Sequence, residues 1–267
     1  MSSKSGILLA AALVAAPLGT ARAGGAEPIS PTTYPLAIVS VYDLAQDAFA
    51  TSTALYFALN GDLAREGFVG RLSVSTDSYS YDLPGAPGGD IDGDAWAIDA
   101  MLGYRWIRGD VASSLFVGAE HQDHDLSPND LGNPVRDSET GFKVAFDITK
   151  APSAYSPVYA ELAASYSTAF DTYQVDGRLG YSFDGFIIGP EAWLMGDESS
   201  DAQRIGGFLK TSLPPLLFSD VSTAITVSAG YQFVDDDHGR STFGSEGAYG
   251  SVRFTTLIGE SWFAPFR

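Results

Sequence analysis

The sequence predicts an all-β protein: an antiparallel, up-and-down outer-membrane β-barrel of about 12 strands. Three observations carry this. Apolar and polar residues alternate with period 2 in repeated stretches of about ten residues, the length of a tilted strand crossing a bilayer. The composition favours strands and turns, with 29 Gly and 12% aromatic residues. The connections divide into short turns on one side and mostly longer acidic loops on the other, an asymmetry a soluble sandwich has no reason to show.

In chain order, the first element reads as an export signal. Lys4 precedes the apolar run 6–19, and Ala21-Arg22-Ala23 supplies a small-x-small cleavage pattern, so residues 1–23 are expected to be removed. The run is too short to span a membrane as a helix. Residues 24–34 are expected to form a periplasmic segment, 35–258 the barrel and 259–267 a tail. The alternation places strands at 35–43, 49–59, 67–80, 94–107, 111–122, 138–149, 157–167, 172–183, 186–196, 202–212, 222–234 and 248–258. In the fourth, Trp96, Ile98, Leu102, Tyr104 and Trp106 share one face, opposite Asp99 and Arg105. The sixth sets Phe142, Val144, Phe146 and Ile148 against Lys143 and Asp147. The eighth sets Tyr173, Val175, Leu179, Tyr181 and Phe183 against Asp176 and Arg178, and the eleventh aligns Ile225, Val227, Tyr231 and Phe233.

The apolar face is assigned to lipid. A ring of about twelve strands encloses more space than an apolar core fills, and a polar lumen tolerates charges that a dry core would not. The charges on the polar phase are Arg71, Asp99, Arg105, Lys143, Asp147, Glu161, Asp176, Arg178, Arg204, Lys210 and Arg253, with Glu120 and Glu191 in the same phase. Acids and bases are nearly matched there, which favours mutual pairing over an open, ion-selective tube. Inward Tyr56, Tyr159 and Phe116 could stack on sugar rings, although single inward aromatics commonly serve packing. Trp96 and Trp106 lie roughly 25 Å apart along the membrane normal at ~3.3 Å per residue and a tilt near ~40°, the spacing of two aromatic girdles. Tyr173, Tyr181, Phe183, Tyr231 and Phe233 extend those girdles.

The formal net charge is −18 and cysteine is absent. So acidic a chain repels nucleic acid, and thiolate metal sites and disulfides are excluded. The stretch "EHQDHDLSPNDLGNPVRDSE" (120–139) holds two of the three histidines. Its Pro, Gly, Asp and Asn content reads as a solvated outer loop after the fifth strand. On a continuing strand, His121 and His124 would face opposite sides and could not share an ion. "GDIDGDAW" (89–96) alternates acids but lacks the glycine and glutamate positions of a calcium-binding EF-hand, and "VDDDHG" (234–239) fares no better. His121 shares the outward phase with Ser138 on the adjoining strand, but a nucleophilic pair also needs an orienting group and oxyanion donors, which the sequence does not supply. No catalytic, metal or cofactor residues are assigned.

Several stretches together resemble one family. They are "ALNGDLAREGFVGR" (58–71), "LGYRWIRGDV" (102–111), the "HQDHDLSPND" and "GNPVR" segments within 121–136, "ASYSTAFDTY" (164–173), "RLGYSFDGFIIGPEAWLMGDE" (178–198) and "DAQRIGGF" (201–208). In order and spacing they resemble the cellulose biosynthesis protein BcsS family from about residue 37 to about residue 256. The resemblance implies an exported outer-membrane barrel of Gram-negative cells, associated with cellulose production and carrying no catalytic residues. The expected partners are outer-membrane lipid and lipopolysaccharide, with cellulose or cellulose synthase components beside them. The expected role is export, anchoring or organisation of cellulose at the cell surface. The alternatives are a barrel enzyme modifying lipid A or phospholipid, with His121 or His238 as base, and a general diffusion porin.

Overall fold

The computed structural model describes residues 33–83, 85, 88–213, 220–236 and 239–259. The expected signal peptide, most of the segment after it, nearly all of the tail, and His238 lie outside the described residues. Twelve strands follow one another: β1 (Leu36–Ala45), β2 (Ala48–Ala58), β3 (Gly67–Asp82), β4 (Asp90–Arg108), β5 (Val111–Ser127), β6 (Asp137–Lys150), β7 (Val158–Ser167), β8 (Tyr173–Phe183), β9 (Phe186–Gly196), β10 (Ser200–Leu213), β11 (Val221–Asp236) and β12 (Gly247–Ile258). Every neighbouring pair is antiparallel, and β1 closes the ring against β12, with Leu36 opposite Ile258 and Leu44 opposite Gly250. Closure leaves no unpaired sheet edge, which water would otherwise have to satisfy.

Because the side-chain period is 2, register decides which residues face out. Across the β4–β5 pair, exposed Leu102 lies opposite exposed Val117, and buried Asp99 lies opposite buried Glu120. The Asp184-Gly185 turn joining β8 to β9 has φ of 46° and 85°, the doubly positive pair of a tight hairpin that matches strand twist. Gly70 faces outward under the Phe57 ring, where a Cβ would come within 2.1 Å of the ring, so only glycine lets that ring lie flat across β3.

Both β1 and β12 meet the chain termini at one end of the barrel, here the terminal end. Connections 59–66, 109–110, 151–157, 184–185 and 214–220 lie at that end. Connections 46–47, 83–89, 128–136, 168–172, 197–199 and 237–246 lie at the far end. This corrects the expected segregation of loop lengths, because both ends mix two-residue turns with longer links. The asymmetry lies instead in strand extension: β3, β4, β5 and β11 have 16, 19, 17 and 16 residues, against 10 or 11 in β1, β2, β7, β8 and β9. Two further expectations change for the same reason. Residues 123–127 belong to β5 rather than to a loop, and Asp90, Asp92 and Asp94 are outward positions of β4. Beyond an apolar belt the backbone ladder can continue in water, so acids and histidines alternate there as the outward apolar residues do lower down.

Candidate functional site

The outer surface carries an aliphatic belt between two aromatic rims. Leu72, Ile98, Leu102, Val117, Leu179 and Ile188 are among its exposed residues. Chain direction places exposed Trp96, Tyr231 and Phe233, with half-buried Tyr173, toward the far end. Exposed Trp106, Tyr181 and Phe183 lie toward the terminal end, where Phe68 meets Tyr104 edge-on at 5.2 Å. A soluble protein of this size rarely exposes a continuous apolar surface so large.

Inside, the arrangement inverts. The eleven interior charges named from sequence are all buried, none more than 9% exposed. Seven of them form two networks. In the first, Arg71 Nη2 and Lys143 Nζ both donate to Asp99 Oδ2 at 3.0 Å, and Lys143 also pairs with Glu120. In the second, Arg178 donates to Glu161 at 2.7 Å and Glu191 at 2.8 Å, and lies 3.4 Å from Asp176. Arg253 of β12 donates to Glu161 of β7 at 2.7 Å. Four strands lie between these two on one side of the ring and six on the other, so this bond crosses almost the full bore. Tyr249 and Ser228 each donate to Glu191 at 2.8 Å, from β12 and β11. Arg204 reaches Asp43 of β1 at 2.9 Å. Two bases do not join the carboxylate pairing: Arg105 Nη1 donates to the Ser114 hydroxyl at 3.4 Å, and Lys210 Nζ to the Tyr159 hydroxyl at 3.0 Å.

Aromatic rings fill what the charges leave. Trp193, 1% exposed, lies 5.2 Å from the Arg178 guanidinium and 6.0 Å from that of Arg204. Phe116 meets Tyr56 edge-on at 6.1 Å, its ring seated against Gly103, where a Cβ would come within 2.4 Å. Tyr56, Tyr159 and Phe116 are therefore packed, the commoner role of single inward aromatics, and leave no free face for a sugar.

The far end is capped by its own connections folding inward. Asn133 and Val135 of 128–136, Phe170 of 168–172, and Thr242 and Phe243 of 237–246 are all buried. Arg240 clamps Asp130 at 2.6 Å, and Asp130 also accepts from Tyr81 Oη at 3.1 Å and from the Gly132 N–H at 2.9 Å. Burial acts to raise the Asp130 carboxyl, but these donors outweigh it and hold the group below the ordinary carboxylate range. Thr242 bonds to Asp197 and ties the last connection to the 197–199 turn.

The two histidines separate as strand geometry requires. His121 faces outward beside the Trp96 ring at 5.2 Å, and its Nδ1 bonds the Thr140 hydroxyl at 2.7 Å. Thr140, not Ser138, is its cross-strand partner, since Ser138 lies opposite Asp123. Asp123 accepts from Trp96 Nε1 at 3.1 Å. His124 turns inward, against Phe170 at 5.1 Å and the Tyr79 hydroxyl at 3.2 Å. Among the described residues no three His, Asp or Glu side chains gather where a metal ion could sit.

Sequence reasoning passed over Asp43, Trp193 and Tyr249 as lumen residues. Strand phase could have found Trp193, two residues from Glu191, and Asp43, two from Val41. The cap residues carried no local signal.

Comparison with solved structures gives distant barrels. The KdgM porin aligns with a TM-score of 0.40 at 11% identity, covering 83% of this chain and 98% of that one. LpxR from Salmonella typhimurium aligns at 0.43 and 12%, covering 84% and 100%. The TodX deltaS2S3 mutant monoaromatic hydrocarbon channel aligns at 0.47 and 9%, covering 84% and 88%. Comparison with curated proteins gives no match. The sequence pattern of cellulose biosynthesis protein BcsS matches residues 38–258, from the third residue of β1 to the last of β12. The chain belongs to the cellulose biosynthesis protein BcsS family.

Proposed function

We propose that this protein is a non-enzymatic outer-membrane barrel that anchors or organises cellulose at the cell surface, with its far end outward. The observation that carries the reading is the inversion of polarity: an apolar belt between aromatic rims outside, and a lumen crossed by the Glu161–Arg253 bridge inside. The belt suits lipid, and the far-end acids, among them Asp90, Asp92, Asp94 and Asp125, suit the cation-bridged headgroups of lipopolysaccharide. A glucan strand needs a continuous path, and buried Trp193, Arg178 and Arg253 stand in the lumen. Anchoring or organisation therefore fits better than conduction, and a diffusion porin meets the same obstruction. An outward enzyme centred on His121 would need an orienting carboxylate on the imidazole, and among the described residues its Nδ1 bonds the Thr140 hydroxyl instead.

Deleting the gene tests the reading, with cellulose scored by dye binding on cells and in the medium. Polymer shed into the medium, or fibres of altered architecture, is the expected result. Unchanged yield, attachment and architecture would contradict it.

A further inference from the structure

Trp96 stands where the outward face of β4 changes character. In phase with it, Ile98 belongs to the apolar belt on one side, and Asp94 begins the far-end acids on the other. The indole is 41% exposed, so ring surface remains open after its neighbours have packed. Those neighbours hold it at a set angle. Its Nε1 donates to Asp123 at 3.1 Å, and the His121 ring lies 5.2 Å away, tilted by 57°. His121 is itself fixed by the 2.7 Å bond between its Nδ1 and the Thr140 hydroxyl.

The charge around this ring is one-sided. Register sets Asp123 of β5 directly across from Trp96, and Asp125 across from Asp94 one outward position further on. Toward the far end, the outward phase of β3 to β6 carries no Lys or Arg among the described residues. Arg136, in the connection after β5, is engaged with Asp137 at 3.2 Å, and Arg240 with Asp130 at 2.6 Å.

An open indole face attracts a cation through its quadrupole, and carboxylates beside it add to the pull. A phosphate or carboxylate would meet three acids and no opposing base. A bare metal ion would seek oxygens alone and leave the ring unused. An acyl chain gains nothing from Asp123. The species that uses both parts is an organic ammonium ion, with its charge toward Asp123, Asp94 and Asp125 and its C–H surface on the indole.

We propose that the cluster of Trp96, His121 and Asp123 is an outer-surface site for an alkylammonium group. The group is carried either by a lipid headgroup or by a soluble polyamine. Trp96 lies between belt and acids, the height at which a headgroup sits. The site therefore deepens the outer-membrane reading above and rests on it for lipid as the source. An amine bound there offsets part of the far-end acidity and fixes its carrier against β4 and β5.

Saturation-transfer NMR on the full chain folded in maltoside micelles tests this, with choline as probe. Saturation of the choline methyl protons is expected, with affinity about fivefold weaker in Trp96→Leu and about threefold weaker in Asp123→Asn, as loss of an exposed cation–π contact or ion pair implies. Heat-modifiable gel mobility shows that each variant still folds. Doping the micelles with phosphatidylethanolamine, compared with diacylglycerol, separates the sources. Suppression of the choline signal assigns the site to a headgroup, and displacement by spermidine without that suppression assigns it to a soluble amine. No saturation of choline, equal binding of its uncharged isostere dimethylbutanol or of methyl β-D-glucoside, or undiminished binding in both variants would overturn the proposal. If choline binds but the protein fractionates with the soluble periplasm, the membrane reading falls and the site stands. If the protein sediments with the outer membrane but no choline binds, the site alone falls.

Discussion

Replacing Arg178 with Met probes the filled lumen most sharply. The guanidinium, 2% exposed, serves Glu161, Glu191 and Asp176 at 2.7, 2.8 and 3.4 Å. Without it, Glu161 keeps Arg253 and Tyr159, and Glu191 keeps the Ser228 and Tyr249 hydroxyls. Asp176 retains only Arg253, at 3.9 Å. Met fills much of the volume but brings no charge, so uncompensated carboxylates remain buried. Breaking a buried pair from one side costs about 3–5 kcal/mol. The assay is urea unfolding in detergent micelles at neutral pH, followed by Trp emission, to which Trp193 beside the guanidinium contributes. In a water-filled tube the same contacts would be screened, and the loss would fall to about 1 kcal/mol or less, as for exposed pairs. That smaller value would refute the packed lumen.

Four further outcomes follow from the same geometry. Planar bilayers holding the native protein should be electrically silent, whereas Glu161→Ala with Arg253→Ala, which removes the bridge across the bore, should give conductance steps. Val117→Lys should destabilise the barrel by about 2–4 kcal/mol, the cost of a base near the bilayer midplane, read as impaired insertion into lipid vesicles. Gly103→Val should force Phe116 off the Tyr56 edge contact and cost about 1–3 kcal/mol by overpacking, visible in the same urea titration. The Asp130 clamp gives a pH dependence. Its carboxyl is held below the ordinary value, so its contribution is complete above an unfolded value near ~3.9 and is lost as pH falls through the folded one. Hydrogen exchange across 128–136 should stay slow at neutral pH and quicken below about pH 4, and Arg240→Gln should move that onset upward.

The twelve strands were legible because alternation is a local property: one face must suit lipid, and the other must not. The lumen charges were legible for the same reason, since Arg178 and Asp176 share a phase whatever lies opposite. What sequence could not give was partner choice. That Glu161 of β7 meets Arg253 of β12 depends on closure of the ring, 92 residues away along the chain. The far end was misread for a related cause. Asp90, Asp92 and Asp94 look like a loop because acids are rare in strands, yet outside the belt they simply face water on an extended ladder. The cap was hidden altogether, because Arg240 and Asp130 are 110 residues apart and neither sits in a periodic segment. His121 and His124 were separated correctly by alternation alone, whereas the bond to Thr140 required the β5–β6 register.

Cell fractionation combined with heat-modifiable gel mobility tests the central claim directly. A barrel that faces lipid with Leu102, Val117 and Leu179 should sediment with the outer membrane and run as a compact band until boiled. Recovery in the water-soluble periplasmic fraction, with the same mobility before and after boiling, would contradict it.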